Sequence, residues 1–186
     1  MQLARAEGAQ LDVRRVPVNL TEIARDTTEE FRAQAEQKGL ALELDPTADG
    51  VVVQSDPARV RQVLSNLVSN AVKYTDQGRV TVRVLADGRR GAIEVADTGS
   101  GIPADRQPLV FEEFVRLDPH AAPGAGVGLA ISQRIVQALG GEITLTSEAG
   151  QGSRFVLWLP ASGSVSSDGS SRPAGAAPSP PAPSHR

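Results

Sequence analysis

The chain has 186 residues, 40% of them hydrophobic, which supports one domain of ordinary size, with aromatics at only 3%. A formal net charge of −3 and the lack of any basic run argue against a nucleic-acid-binding face, and no apolar run approaches the ~18 residues needed to span a membrane. With no cysteine there is no disulfide frame and no thiolate metal site, which fits a reducing compartment. The first residues lack the shape of a signal peptide, so the expectation is a soluble chain, any membrane attachment belonging to a longer parent.

Residues 1–10 carry Leu3, Ala4 and Ala6 among charges and read as the end of a longer helix. Leu11, Val13 and Val16 alternate with polar residues, predicting a short strand up to Pro17. Asn19 caps a helix running through Leu20, Ile23, Ala24, Thr27, Phe31 and Ala35 to Gly39, with Glu22 completing a capping-box-like pattern. Leu40, Leu42 and Leu44 predict a strand ended by Asp45-Pro46, and Val51-Val52-Val53 another. Ser55 or Asp56 with Pro57 then starts a helix whose apolar positions Val60, Val63, Leu64, Leu67, Val68 and Ala71 keep helical spacing.

Val80, Val82 and Val84, an Asp87-Gly88 turn, and Ala92 to Ala96 spell a hairpin. Residues 104–123 show no sustained period and suggest a mobile connector. A helix follows from the Gly124 to Gly128 cluster through Leu129, Ile131, Ile135, Val136 and Leu139, closed by Gly140-Gly141. Glu142 to Thr146 and Ser153 to Leu159 predict a last pair of strands. From Ala161 onward Ser, Gly, Ala and Pro dominate, and such a stretch buries too little apolar surface to offset the entropy of ordering it, so 161–186 reads as a disordered tail or linker.

Three stretches carry chemistry. On the helix after Asp56, Asn66, Asn70 and Lys73 fall within about 60° of one another on one flank. Carboxamide oxygens can ligate a hard cation and a lysine supplies a point charge for phosphate, although the same residues could line a solvated edge. Asp97-x-Gly99-x-Gly101 follows the hairpin, where an aspartate held by tight-turning glycines can accept a hydrogen bond from a ligand amino group or simply close a turn. Gly124-x-Gly126-x-Gly128 opens a helix whose N-terminus favours anions, but it fits neither the dinucleotide fingerprint nor the P-loop.

In combination and in this order, Asn-x-x-x-Asn-x-x-Lys-Tyr, Asp-x-Gly-x-Gly, Phe-x-x-Phe, Gly-x-Gly-x-Gly-Leu and Gly-Ser-x-Phe resemble the ATP-binding catalytic domain of sensor histidine kinases. That domain belongs to the superfamily shared with DNA gyrase, heat-shock chaperone and mismatch-repair ATPases. The resemblance covers residues 11–160 and implies an α+β fold, a two-layer α/β sandwich of the Bergerat type, with a mixed, mostly antiparallel sheet backed by helices. It implies ATP and Mg²⁺ as ligands, with Asn70 the metal ligand and Asn66 lining the phosphate and metal site. Lys73 resembles the lysine that contacts phosphate, and Tyr74 the aromatic that covers adenine. Asp97 resembles the reader of the adenine amino group, in a pocket shaped by Gly99, Gly101 and Ile102. Phe111 and Phe114 match the start of a lid, Arg116 a lid arginine near the γ-phosphate, and Gly124, Gly126, Val127, Gly128 and Leu129 the glycine box at the phosphates. Gly152, Ser153 and Phe155 match the last box, expected to be structural.

The resemblance further implies a phosphoacceptor histidine on a separate dimerisation domain, with a response regulator beyond it. It implies a homodimeric parent on the cytoplasmic side, membrane-anchored or not, and a monomeric isolated fragment with no membrane contact. Residues 1–10 match only the end of the acceptor hairpin, and the two histidines, His120 and His185, lie in lid and tail. Two alternatives share the nucleotide site: a nucleotide-responsive ATPase or binding module, and a serine kinase of the anti-sigma type. Asn66 bears on the choice, because the ATPases place a glutamate there to activate water and an asparagine cannot act as that base.

Overall fold

The computed structural model describes residues 12–45, 50–112 and 127–161. Its elements are β1 (Val16–Asn19), α1 (Leu20–Gln37), β2 (Ala41–Asp45), β3 (Val52–Ser55), α2 (Pro57–Tyr74), β4 (Arg79–Ala86), β5 (Arg90–Asp97), a 3-10 turn (Gln107–Phe111), α3 (Gly128–Ala138), β6 (Glu142–Glu148) and β7 (Gly152–Pro160). Five strands form one sheet in the order β2-β4-β5-β7-β6, parallel only between β2 and β4, and β1 pairs antiparallel with β3 in a small second sheet. This is the α+β, two-layer arrangement expected from the resemblance.

Period-two alternation places Val80, Val82 and Val84 of β4 beside Ile93 and Val95 of β5 and Phe155, Leu157 and Leu159 of β7 on one face. Val60, Val63, Leu64, Leu67, Val68 and Val72 of α2, with Leu20 and Ala24 of α1 and Ile135 and Val136 of α3, close that face as the core. On the other face Glu94, only 4% exposed, lies between Arg83 (3.5 Å) and Arg154 (3.6 Å), and Arg83 also pairs with Asp45 at 3.0 Å. Opposite charges so alternate across β2, β4, β5 and β7, which keeps a buried carboxylate partnered.

The helix starts follow their local chemistry. Asn19 caps α1 by accepting from Thr21 N at 3.0 Å, and its amide donates to Glu22 at 3.1 Å. Asp56 caps α2, accepting from Ala58 N (3.0 Å) and Arg59 N (3.2 Å), an arrangement worth about 1 kcal/mol.

Three expectations shift. The strand expected up to Pro17 is instead Val16–Asn19, because pairing with β3 runs from Val16↔Ser55 to Asn19↔Val52; Leu11 lies outside the described residues. The connector contains the 3-10 turn, which buries Val110 and sets Phe111 edge-on to Phe155, with ring centroids 6.5 Å apart. The strand expected at Val51-Val52-Val53 is Val52–Ser55, set by the same pairing with β1.

The domain has two ends. Arg14 N donates to Asp56, and Val53 bridges to Ala161, so both ends of the described chain lie near the start of α2. The C-terminal end of α2 lies roughly 27 Å away, at 1.5 Å per residue over the 18 residues of the helix.

Candidate functional site

The C-terminal half of α2 carries Asn66, Asn70, Lys73 and Tyr74 along one flank, beside the buried stripe rather than in it. Asn66 Nδ2 donates to Ser132 Oγ at 2.9 Å, a bond that ties α2 to the second turn of α3. The carboxamide oxygen of Asn66 lies against Gly128, where an added Cβ would collide with it. Gly128 is thus glycine because the start of α3 closes directly onto this side chain. No side chain caps α3, whose N-cap position is Val127, so its first amides are not taken by a capping side chain. Asn70 makes no side-chain hydrogen bond to any described residue. Lys73 Nζ stands 5.1 Å from the ring centroid of Tyr74, a residue that is 44% exposed.

Asp97 ends β5, half-buried. Gly99 N (2.9 Å) and Ser153 N (3.3 Å) both donate to its Oδ1, which leaves Oδ2 for other partners. Burial pushes the Asp97 pKa above the usual aspartate value, against the two amide bonds, which lower it.

The loop beyond Asp97 is fastened on three sides. Ser100 N donates to the carbonyl of Tyr74 (3.4 Å), and Gly150 N to the carbonyl of Ser100 (2.7 Å). Ile102 N donates to Ser147 Oγ (2.8 Å), while Gln107 Nε2 bridges the carbonyls of Ile102 (3.0 Å) and Ser147 (2.9 Å). Gly99 allows the approach to Tyr74, and Gly101, at φ +63°, faces the carbonyl of Glu148 so closely that a Cβ would collide.

The structure therefore lines the Asn66 to Tyr74 flank, the Asp97 to Ile102 loop and the start of α3 at Val127, Gly128 and Leu129 along the C-terminal half of α2. Asn66 and Tyr74 are eight residues apart on α2, about 12 Å, so Gly128 and the Asp97 loop meet the flank at opposite ends. Phe114, Arg116, His120, Gly124 and Gly126 lie outside the described residues. Sequence reasoning missed Ser132, Ser147 and Gln107. Ser132 alone left a signal, as a polar residue among the buried positions of α3.

Residues 55–163, more than half of the chain, match the family described as histidine kinase-, DNA gyrase B-, and HSP90-like ATPase. The chain is 45% identical over 149 residues to the aerobic respiration control sensor protein ArcB of Escherichia coli (strain K12), covering 77% of this chain and 19% of that protein. It is 38% identical over 168 residues to the circadian input-output histidine kinase CikA of Synechococcus elongatus, covering 86% of this chain and 22% of that one. The chain thus spans about a fifth of the length of these relatives. Among solved structures, full-length ShkA in complex with AMPPNP superposes with a TM-score of 0.76 at 35% identity, over 82% of this chain and 32% of that one. The mycobacterial sensor histidine kinase MprB superposes with a TM-score of 0.68 at 28% identity, over 78% of this chain and 97% of that one.

Proposed function

The chain belongs to the histidine kinase-, DNA gyrase B-, and HSP90-like ATPase family, as an ATP-binding domain of the sensor-histidine-kinase kind, and from that premise we propose that it binds Mg-ATP and donates the γ-phosphoryl group to a histidine on a separate dimerisation domain. The observation that carries transfer over hydrolysis is Asn66. Its carboxamide is held by Ser132 and offers no carboxylate to take a proton from water. Phosphoryl transfer to an imidazole, which is its own nucleophile, asks this side only for positioning and charge stabilisation.

In this reading Asp97 accepts from the adenine amino group through Oδ2, in the loop of Gly99, Gly101 and Ile102, and the exposed ring of Tyr74 covers the base. Lys73 meets the phosphates as a point charge, and the amides at Val127, Gly128 and Leu129 meet them at the start of α3. Phe114, Arg116, Gly124 and Gly126 would complete the site from the lid. Among the described residues no three or more His, Cys, Asp or Glu converge on a metal position. A single carboxamide oxygen from Asn70, with Asn66 beside it, suits Mg²⁺, which keeps most of its coordination with phosphate oxygens and water. When bound, the ion neutralises charge developing on the phosphates.

The partners of this reading are the histidine-bearing domain and, through it, a response regulator, within a homodimeric parent whose catalytic part faces the cytoplasm. The isolated chain is a monomer that touches neither nucleic acid nor membrane. No helix among the described residues is long and apolar enough to cross a membrane.

The test is radiolabelled ATP with this chain alone and then with a histidine-bearing hairpin supplied in trans. Acid-labile label is expected on the hairpin only, and weakly, since tethering normally raises effective concentration. Rapid phosphate release by the chain alone would point to an ATPase instead. Asn70→Ala should melt like the wild type, yet lose at least about tenfold in Mg²⁺-dependent affinity for a non-hydrolysable ATP analogue, read by calorimetry. Undiminished Mg²⁺-dependent binding would remove Asn70 from the metal.

A further inference from the structure

The last turn of α2, which carries Lys73 and Tyr74, ends without the usual device. A helix leaves four carbonyls without partners at its C-terminus, and a left-handed glycine commonly turns the chain to satisfy them. Here the C-cap is Thr75, in extended conformation at φ −105° and ψ 119°. The donors come from the far end of α1. Lys38 Nζ donates to the carbonyls of Val72 (2.8 Å), Lys73 (3.0 Å) and Thr75 (2.8 Å), across 34 to 37 positions of sequence. The carbonyl of Ala71 accepts from Thr75 Oγ1 (2.7 Å), and that of Tyr74 from Ser100 N (3.4 Å). Every carbonyl from Ala71 to Thr75 is thereby engaged. All three donors of the ammonium are used, and its charge sits at the negative end of the helix dipole.

We propose that Lys38 is a positioning residue for nucleotide binding. It touches no ligand; it fixes the path of the last turn of α2 and so holds Lys73 and Tyr74 in one frame with the Asp97 loop, whose Ser100 takes the one carbonyl among the last four that Lys38 and Thr75 leave open. The inference rests on the nucleotide reading above. It extends that reading to a residue outside every motif of the family resemblance, contributed by a helix that carries none of the site. Two properties of the ammonium matter. It converges three donors on carbonyls spread around a helix end, and it brings a cation there; methionine retains the length of the stem and supplies neither.

The test compares the wild-type chain with K38M, K38R and D56A, the last removing the cap at the opposite end of the same helix. Affinity for AMPPNP is measured by calorimetry below the melting transition of every variant, beside the melting midpoint. K38M is expected to lose about tenfold in affinity, since small displacements of positioned groups are costly. K38R is expected to recover part of that loss. D56A should melt at lower temperature with affinity unchanged. If K38M does not fold, K38Q, which keeps a neutral donor, takes its place with a smaller expected loss. The proposal is overturned if K38M, or K38Q in its stead, binds as wild type does, if K38R is no better than K38M, or if D56A loses as much affinity as K38M. A wild-type chain that does not bind AMPPNP would overturn the nucleotide reading itself, an outcome distinct from equal binding by wild type and K38M.

Discussion

Asp97→Asn is expected to lower affinity for ATP about a hundredfold with the fold intact, and to raise the relative affinity for GTP. Gly99 N and Ser153 N both donate to Oδ1, at 2.9 and 3.3 Å. In the variant these two amides select the carboxamide oxygen for that place, so the NH₂ stands where Oδ2 stood. A donor then faces the amino donor of adenine, whereas guanine presents a carbonyl at the same edge. The pH dependence separates ligand from fold. Burial raises the Asp97 pKa against its two amide bonds, so the folded chain protonates this group more readily than the unfolded one. The stability cost of the buried carboxylate is therefore full above the folded pKa and is relieved as pH falls toward the unfolded value. Affinity for ATP runs the other way, climbing as pH rises through the raised pKa and then levelling. Asp97→Asn should be flat over that range and no less stable than wild type without nucleotide. Calorimetry with ATP and GTP across pH reads both effects, and an undiminished preference for ATP would free Asp97 from the base.

The largest expected effect on stability is at Gly152. Its φ is +91°, and a Cβ there would drive into the carbonyl of Asp97 and the Cα of Thr98. Gly152→Ala should cost about 3 kcal/mol or more, from left-handed strain plus a contact with backbone that cannot turn aside. Gly150, two residues earlier in the same turn at φ +79°, faces open space, and its replacement by alanine should cost only about 1 kcal/mol. Urea denaturation of the two variants isolates the contact, and equal losses would show that the approach to Asp97 contributes nothing.

Much of this was legible where local chemistry decides. Asp56 before Pro57, Asp87-Gly88 between two alternating runs and the helical spacing from Val60 to Ala71 each name an element, and each is found. β1 was misplaced because its limits come from pairing with Val52–Ser55, more than thirty residues on, not from its own alternation. The 3-10 turn was missed because a five-residue segment with one buried valine has too little length for a period to register. At the site, the order of the asparagine flank, the aspartate loop and the glycine cluster was readable. Ser132 showed only its polarity, and neither its bond to Asn66 nor those of Lys38 to the end of α2 were readable, since a hydrogen bond across tens of residues leaves no spacing to read.

The bridge from Val53 to Ala161 and the bond from Arg14 to Asp56 set the domain's mechanics. Both ends of the described chain leave from its base, while Tyr74 and the Asp97 loop sit at its tip, about 27 Å off along α2. The distance from Asp12 to that tip equals roughly eight fully extended residues. Whatever is joined at that end is kept off the tip unless its linker spans that length, and beyond that length the local concentration at the tip falls as the slack grows.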